Sequence, residues 1–169
     1  MKRILTCTDG SSYAHSIYHY SAWAAKRLEA EIHVLHMLDP LHADPLNTDY
    51  SGSIGLGART VLMEELVELE ATRAKIAQKR GQAILEDAEE RLREAGVKEV
   101  TTIARHERLS DSIEKYDETA DLIVLGKRGN HADFASGHLG SNLERVIRSC
   151  KHPVLVASVS YTHLRAHET

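Results

Sequence analysis

The chain is poor in cysteine, with only Cys7 and Cys150 among 169 residues. Two thiols build no disulfide framework. Their apolar neighbours favour buried, reduced side chains over a redox role. Nowhere do about twenty apolar residues run together, as a membrane span requires. Lys2 and Arg3 precede an apolar run that ends by Asp9, too short for a secretory signal. The expected compartment is a reducing cytoplasm, with no membrane partner. Basic charge is not in excess either: 21 Lys and Arg stand against 25 Asp and Glu, for a net charge of −4. A general nucleic-acid binder presents a basic face, so no nucleic-acid partner is expected. A nucleotide remains compatible, because backbone N–H groups hold phosphates.

Reactive motifs are missing as well. No Gly-x-x-x-x-Gly-Lys-Ser/Thr loop, His-Glu-x-x-His pair or Gly-x-Ser-x-Gly elbow occurs. Eleven histidines invite a metal reading. His15 and His19 stand four apart, and His33 and His36 are near neighbours, but no cysteine or carboxylate completes an obvious zinc set. Surface or packing histidines are the simpler reading, and no metal site is expected. No side chain stands out as a general base or nucleophile. The expectation is therefore no enzyme, with slow ATP hydrolysis at most, since in-line attack needs a positioned water and charge stabilisation.

What is present is an ordinary globular composition, 42% apolar and 27% charged, of a length suited to one domain. Ile4 to Thr8 predicts a strand, followed by a polar turn, Asp9 to Ser12, rich in helix-capping residues. A helix is expected from about Tyr13 to Ala30, with Ala14, Ile17, Ser21, Ala24, Ala25 and Leu28 on one small-residue face. Ile32 to Leu38 predicts a second strand ending at Asp39-Pro40. Leu41 to Gly57 is polar and punctuated, of a length that goes with function or mobility. Ala58 to Ala95 is helical in pattern, with a stripe of Leu62, Leu66, Leu69, Ile76, Ala83, Ala88 and Leu92. Gly81 is a candidate break or bend in it. A coiled coil is the other reading of this stripe, which is too irregular for sustained heptads. Gly96 suits a helix end. Val97 to Ala104 predicts a third strand, and Ser110 to about Thr119 a short helix burying Leu109, Ile113 and Tyr116.

The densest signal runs from Asp121 to Ala157. Leu122 to Leu125 is a short apolar run, suited to a strand buried on both faces. Gly126 and Gly129 follow. A polar loop leads to Gly140, Ser141 and Asn142 and then a helix, where Ser141 and Glu144 have capping-box spacing. Leu143, Val146, Ile147 and Cys150 recur at helical spacing, Pro153 stops the helix, and Val154 to Ala157 is a last strand. The alternation predicts an α/β fold, a doubly wound five-stranded parallel sheet of Rossmann-like type. A glycine-lined loop between a parallel strand and a helix N-terminus suits an anion. Lys127 and Arg128 lie within it, able to reach phosphate oxygens or to point to water. The alternative is that the glycines only shape a turn. Asp9 and Asp39 both follow strands, as ligand contacts or as turn and cap formers.

Gly126-x-x-Gly129, a loop, Gly140-Ser141, an amphipathic helix and Pro153-Val154-Leu155-Val156 together resemble the universal stress protein family. The resemblance covers Met1 to Ala157 and is closest in wording to half-domains of tandem members. It implies an adenine nucleotide alpha hydrolase-like fold and, in many members, ATP with any magnesium held mainly by the phosphates. It implies Asp9 against the adenosine and Met37 against the adenine, with Gly126, Gly129, Gly140, Ser141 and Asn142 on the phosphates. One departure is a spacer of ten residues, Asn130 to Leu139, where ATP-binding members usually place nine. Family members often dimerise through the last strand, so Val154 to Ala157 is expected to pair with a second copy or a sister domain. A stress-type domain that binds no nucleotide and acts as a dimeric interaction module is the alternative. An ATP-dependent transferase of the wider fold group lacks its His-x-Gly-His and Ser-Gly-Gly signatures here. Ser158 to Thr169 shows no face worth burying, which predicts a disordered tail of foreign origin after a domain of residues 1–157.

Overall fold

The computed structural model describes residues 1–38, 55–127 and 141–158, with the backbone alone at 56, 59, 141 and 142. The elements are β1 (Lys2–Thr8), α1 (Ala14–Leu28), β2 (Ala30–Met37), α2 (Leu56–Glu94), β3 (Val100–Arg105), α3 (Leu109–Asp117), β4 (Leu122–Gly126), α4 (Ser141–Ser149) and β5 (Val154–Ala157). The five strands form one parallel sheet in the order β3-β2-β1-β4-β5. The doubly wound expectation is met, and the strand order reverses between β1 and β4.

Successive strand residues face opposite sides, and here both sides are covered. Ile4, Ile32, Val34 and Val124 meet Ile17, Tyr18 and Ala25 of α1 and Leu85, Ala88 and Leu92 of α2. Leu5, Leu35, Ile123 and Leu125 meet Ile113 of α3 and Leu143 and Val146 of α4. This is why β4 reads as a continuous apolar run, Leu122 to Leu125, rather than an alternating one. The two polar residues that β1 turns toward α1 are both paired. Thr6 Oγ1 donates to Ser21 Oγ at 2.8 Å, and the hydroxyls of Thr8 and Tyr18 are 2.8 Å apart.

Several boundaries differ from expectation. α1 stops at Leu28 because Glu29 takes a left-handed conformation (φ 50°, ψ 47°), and Ala30 already pairs with Lys2 in the sheet. No side chain caps α1: its N-cap is Tyr13. β3 starts three residues late, because Val97 still belongs to the end of α2. There Gly96 (φ +89°) donates to the Arg93 carbonyl and Val97 to that of Leu92, a Schellman closure. Gly81 does not break α2. A Cβ there would lie 2.2 Å from Leu38 Cδ2, so this glycine lets the helix approach the end of β2. The apolar stripe of α2 meets the sheet only from Gly81 onward: Leu69, Ile76 and Ala83 are exposed, while Leu85 is buried.

Candidate functional site

Parallel strands deliver their carboxyl ends to one edge, and the reversal between β1 and β4 leaves a crevice there. Asp9 follows β1 directly. Met37 ends β2, one step beyond the pairing of Thr8 with His36. Gly126 ends β4, two steps beyond the pairing of Thr6 with Val124. Asp9, Met37, Gly126 and Lys127 therefore gather at one edge, the first three half-buried and Lys127 exposed. Ser141 and Asn142 form the first turn of α4. Their side chains, and with them the capping box, lie outside the described residues. So do Asp39, Arg128, Gly129, Gly140, most of the loop after β2, and the tail. Glu144 is engaged with Arg148 four residues on.

Asp9 shapes its own loop. Its Oδ1 accepts the Ser11 N–H at 2.9 Å, and Gly10 donates to Thr8 Oγ1 at 3.3 Å. Gly10 sits at φ +69°, where a Cβ would be 2.5 Å from Ile84 Cδ1. Ser11 Oγ is buried and has no hydrogen-bond partner among the described residues. A buried hydroxyl without a partner is costly in a closed protein, and this one is beside the Asp9 carboxylate. Met37, like Ile103, Leu109 and Tyr116, packs against the core on the α3–α4 side of the sheet and is only half-buried, giving an apolar margin at the β2 end. At this edge a carboxylate, an unpaired hydroxyl and an apolar margin come together. Such a set suits a ligand with hydroxyl or amino hydrogens and a flat apolar part.

A buried frame behind the edge escaped the sequence reading. His36 Nδ1 is 2.9 Å from the Thr8 carbonyl oxygen. A carbonyl only accepts, so Nδ1 carries the hydrogen. With the Tyr18 contact, this fixes Thr8, and through it the Asp9 loop. Burial pushes the Tyr18 hydroxyl above its ordinary pKa, against the lowering effect of Thr8, so it remains a neutral donor and acceptor. The one sequence signal for His36 was its place on the same face of β2 as Ile32 and Val34. One cleft meets this frame at Tyr18, and a second lies farther along the sheet. The first, of about 380 Å³, lies between the Gly10–Ser12 loop and α2, beside Arg80 and Asp87. The other, of about 680 Å³, lies at the β3 end beside Arg105 and Tyr116. Arg105 is the β-sheet partner of Met37 and donates to the Tyr116 hydroxyl at 2.9 Å.

The two cysteines face α3 and α4 rather than this edge. Cys7 is buried and Cys150 half-buried, both unpaired, and burial raises both thiols above their ordinary pKa. Among the described residues no three His, Cys, Asp or Glu side chains converge on a metal position. No helix among them is long and apolar enough to cross a membrane.

Strand order, crevice and flanking helices define the class: a doubly wound, Rossmann-like α/β domain. Residues 1–158 match the universal stress protein family, and the chain belongs to it. It is 43% identical over 157 residues to Universal stress protein Slr1230 of Synechocystis sp.. That alignment takes in 92% of this chain but 55% of the relative, so the chain spans about half the length of the curated relative it matches. Among solved structures, hypothetical protein MJ0577 superimposes with a TM-score of 0.67 at 24% identity, covering 93% of this chain and 95% of that one. A universal stress protein in complex with cAMP does so at 0.61 and 22%, covering 94% and 98%. The universal stress protein from Archaeoglobus fulgidus in complex with dAMP gives 0.56 and 19%, covering 93% and 97%. At these identities the likeness shows the shared fold.

Proposed function

We propose that this domain is a regulatory stress-response unit that binds an adenine nucleotide, ATP, at the carboxyl edge of β1, β2 and β4. The observation that carries this reading is the convergence of Asp9, Met37 and Gly126 where the strand order reverses. Asp9 accepts hydrogen bonds from the ribose, and Met37 lies against the adenine. Phosphates meet the N–H groups of Gly126, Gly129, Gly140, Ser141 and Asn142, helped by the positive end of α4. Lys127 and Arg128 supply positive charge for phosphate oxygens, and magnesium is held by the phosphates. The orphaned Ser11 hydroxyl fits a polar ligand at this place. Two solved relatives described as complexes with cAMP and dAMP support the nucleotide class. Binding rather than turnover is the proposed role, and the cytoplasm is the proposed compartment.

The test is native mass spectrometry of the purified chain. A co-purified adenine nucleotide, lost in Gly140→Leu, is expected. A nucleotide-free protein that also fails to take up added ATP overturns the reading. A second reading, an interaction module without nucleotide, is favoured by the ten-residue spacer Asn130 to Leu139. In either reading β5 is a pairing surface for a second copy or a sister domain. It stands at the sheet edge with Val154, Leu155 and Val156 only half-buried, and such an edge favours strand addition.

A further inference from the structure

The outer face of α1 carries a sorted set of side chains. The inner face, with Ala14, Ile17, Tyr18, Ala24 and Ala25, is buried in the core. The opposite arc holds His15, His19, Trp23 and Arg27, with Lys26 beside them, and all five are exposed. Residues four apart follow one row along a helix surface. Trp23, the only tryptophan of the chain, stands in this row and is 51% exposed. The Arg27 guanidinium lies over its ring at 5.3 Å from the centroid, a cation–π contact that orders both. His19 meets the half-buried Tyr20 edge-on at 5.9 Å.

No acid interrupts this face. α1 is the one described helix without Asp or Glu, in a chain that has 25 of them and a net charge of −4. Among the described residues neither Lys26 nor Arg27 has an ion pair. On the neighbouring α2, Asp87 is engaged with Arg91 and Glu89 with Arg93, each on its own helix. Arg91 also reaches across to His15, with Nη1 3.2 Å from Nδ1, and so adds a third cation at the start of the row.

We infer that this row docks an acidic peptide segment of a partner protein, which lays an aromatic side chain on Trp23 and its carboxylates on Lys26, Arg27 and Arg91. Charge complementarity selects an acidic partner. Tryptophan and arginine are the side chains that most often dominate protein–protein contacts. Stacking of Arg27 on Trp23 leaves less ordering to be done on binding. From His15 to Arg27 the row runs roughly 18 Å, the length of about five or six residues of extended chain. The other anionic surfaces fit less well. A helix that lies on a membrane needs a free apolar face, and that of α1 is in the core. A nucleic-acid strand needs a long basic track, and here Glu29 follows at once, where the chain turns with φ 50°.

Two measurements on the full chain at low salt test this. The first follows the emission of Trp23, the sole indole, during titration with an end-blocked peptide of repeated Glu-Glu-Phe units. A saturable change is expected, absent with repeated Lys-Lys-Phe and weaker with repeated Glu-Glu-Gly. The second compares variants by anisotropy of the fluorescein-labelled Glu-Glu-Phe peptide. Trp23→Ala and Lys26→Glu/Arg27→Glu, at exposed positions, are each expected to weaken binding at least tenfold while leaving the circular dichroism melt in place. Arg145→Glu, exposed on α4 across the sheet, is expected to bind as the unaltered chain does. No change in Trp23 emission, an equal response to the Lys-Lys-Phe peptide, or full binding by either α1 variant would each overturn the inference. Tighter binding of oligouridylate or of phosphatidylserine vesicles would overturn it too. None of these outcomes depends on nucleotide.

Discussion

Replacing Gly81 by alanine sets two effects of opposite sign against each other. In an ordinary helix interior the change stabilises by about 1 kcal/mol, because glycine loses more backbone freedom on folding. Here the new Cβ would lie 2.2 Å from Leu38 Cδ2 and 3.3 Å from His36 Cδ2. Leu38 is 6% exposed and His36 8%, so neither has open space to move into. Overpacking of this kind costs about 1–3 kcal/mol. The expected net result is a loss of about 0–2 kcal/mol, or up to several degrees in Tm at about 2–4 °C per kcal/mol for a domain of this size. Urea denaturation with an unchanged m-value is the assay. A double-mutant cycle sharpens it. Leu38→Ala alone should cost about 2–4 kcal/mol. In that background the main clash is gone and only His36 Cδ2 at 3.3 Å remains, so Gly81→Ala should be neutral or stabilise by up to about 1 kcal/mol. If Gly81→Ala stabilises the unaltered protein, the close approach of α2 to the β2 end is wrong.

The same logic applies to Gly10. Gly10→Ala meets left-handed backbone and the Ile84 side chain together, and should cost about 2–4 kcal/mol by chemical denaturation. In an Ile84→Ala background only the backbone part, about 1–2 kcal/mol, should remain. Asp117 ties the end of α3 to the turn before β5, accepting from the Lys151 amide at 3.0 Å and the His152 amide at 3.4 Å. Burial pushes this carboxyl up, but those amides and the His152 imidazole outweigh it and hold the pKa below its ordinary value. Its contribution is therefore complete above the ordinary carboxylate pKa of about 4 and is lost as pH falls through the lower native value. Asp117→Asn should flatten the fall in unfolding free energy below about pH 4, and Asp117→Ala should cost about 1–3 kcal/mol at neutral pH. An unchanged acid limb in Asp117→Asn would count against this anchoring.

What could be read from the sequence was whatever depends on neighbours in the chain. The run Leu122 to Leu125, the helix end at Gly96 and the stop at Pro153 each announce themselves within a few residues. From them follow five strands, their parallel pairing and the edge where Asp9, Met37 and Gly126 meet. What could not be read depends on pairing across the fold. The frame of Thr8, Tyr18 and His36 exists only because β1 and β2 pair in one register while α1 crosses above. Gly81 looked like a break because its purpose, room for Leu38, comes from an element more than forty residues away. The stripe along α2 kept its spacing past the point where the sheet ends, so periodicity alone could not separate buried leucines from exposed ones. Phosphate contacts at Gly129, Gly140, Ser141 and Asn142 stay with the proposal.

Titration calorimetry with ATP tests the central claim most directly, run on the unaltered chain, on Asp9→Ala and on Gly140→Leu. The account predicts saturable one-to-one binding by the unaltered chain. It predicts weaker binding by Asp9→Ala and none by Gly140→Leu, with all three proteins folded. Heat no greater than dilution for the unaltered chain at millimolar ATP, or equal affinity in all three, would contradict it.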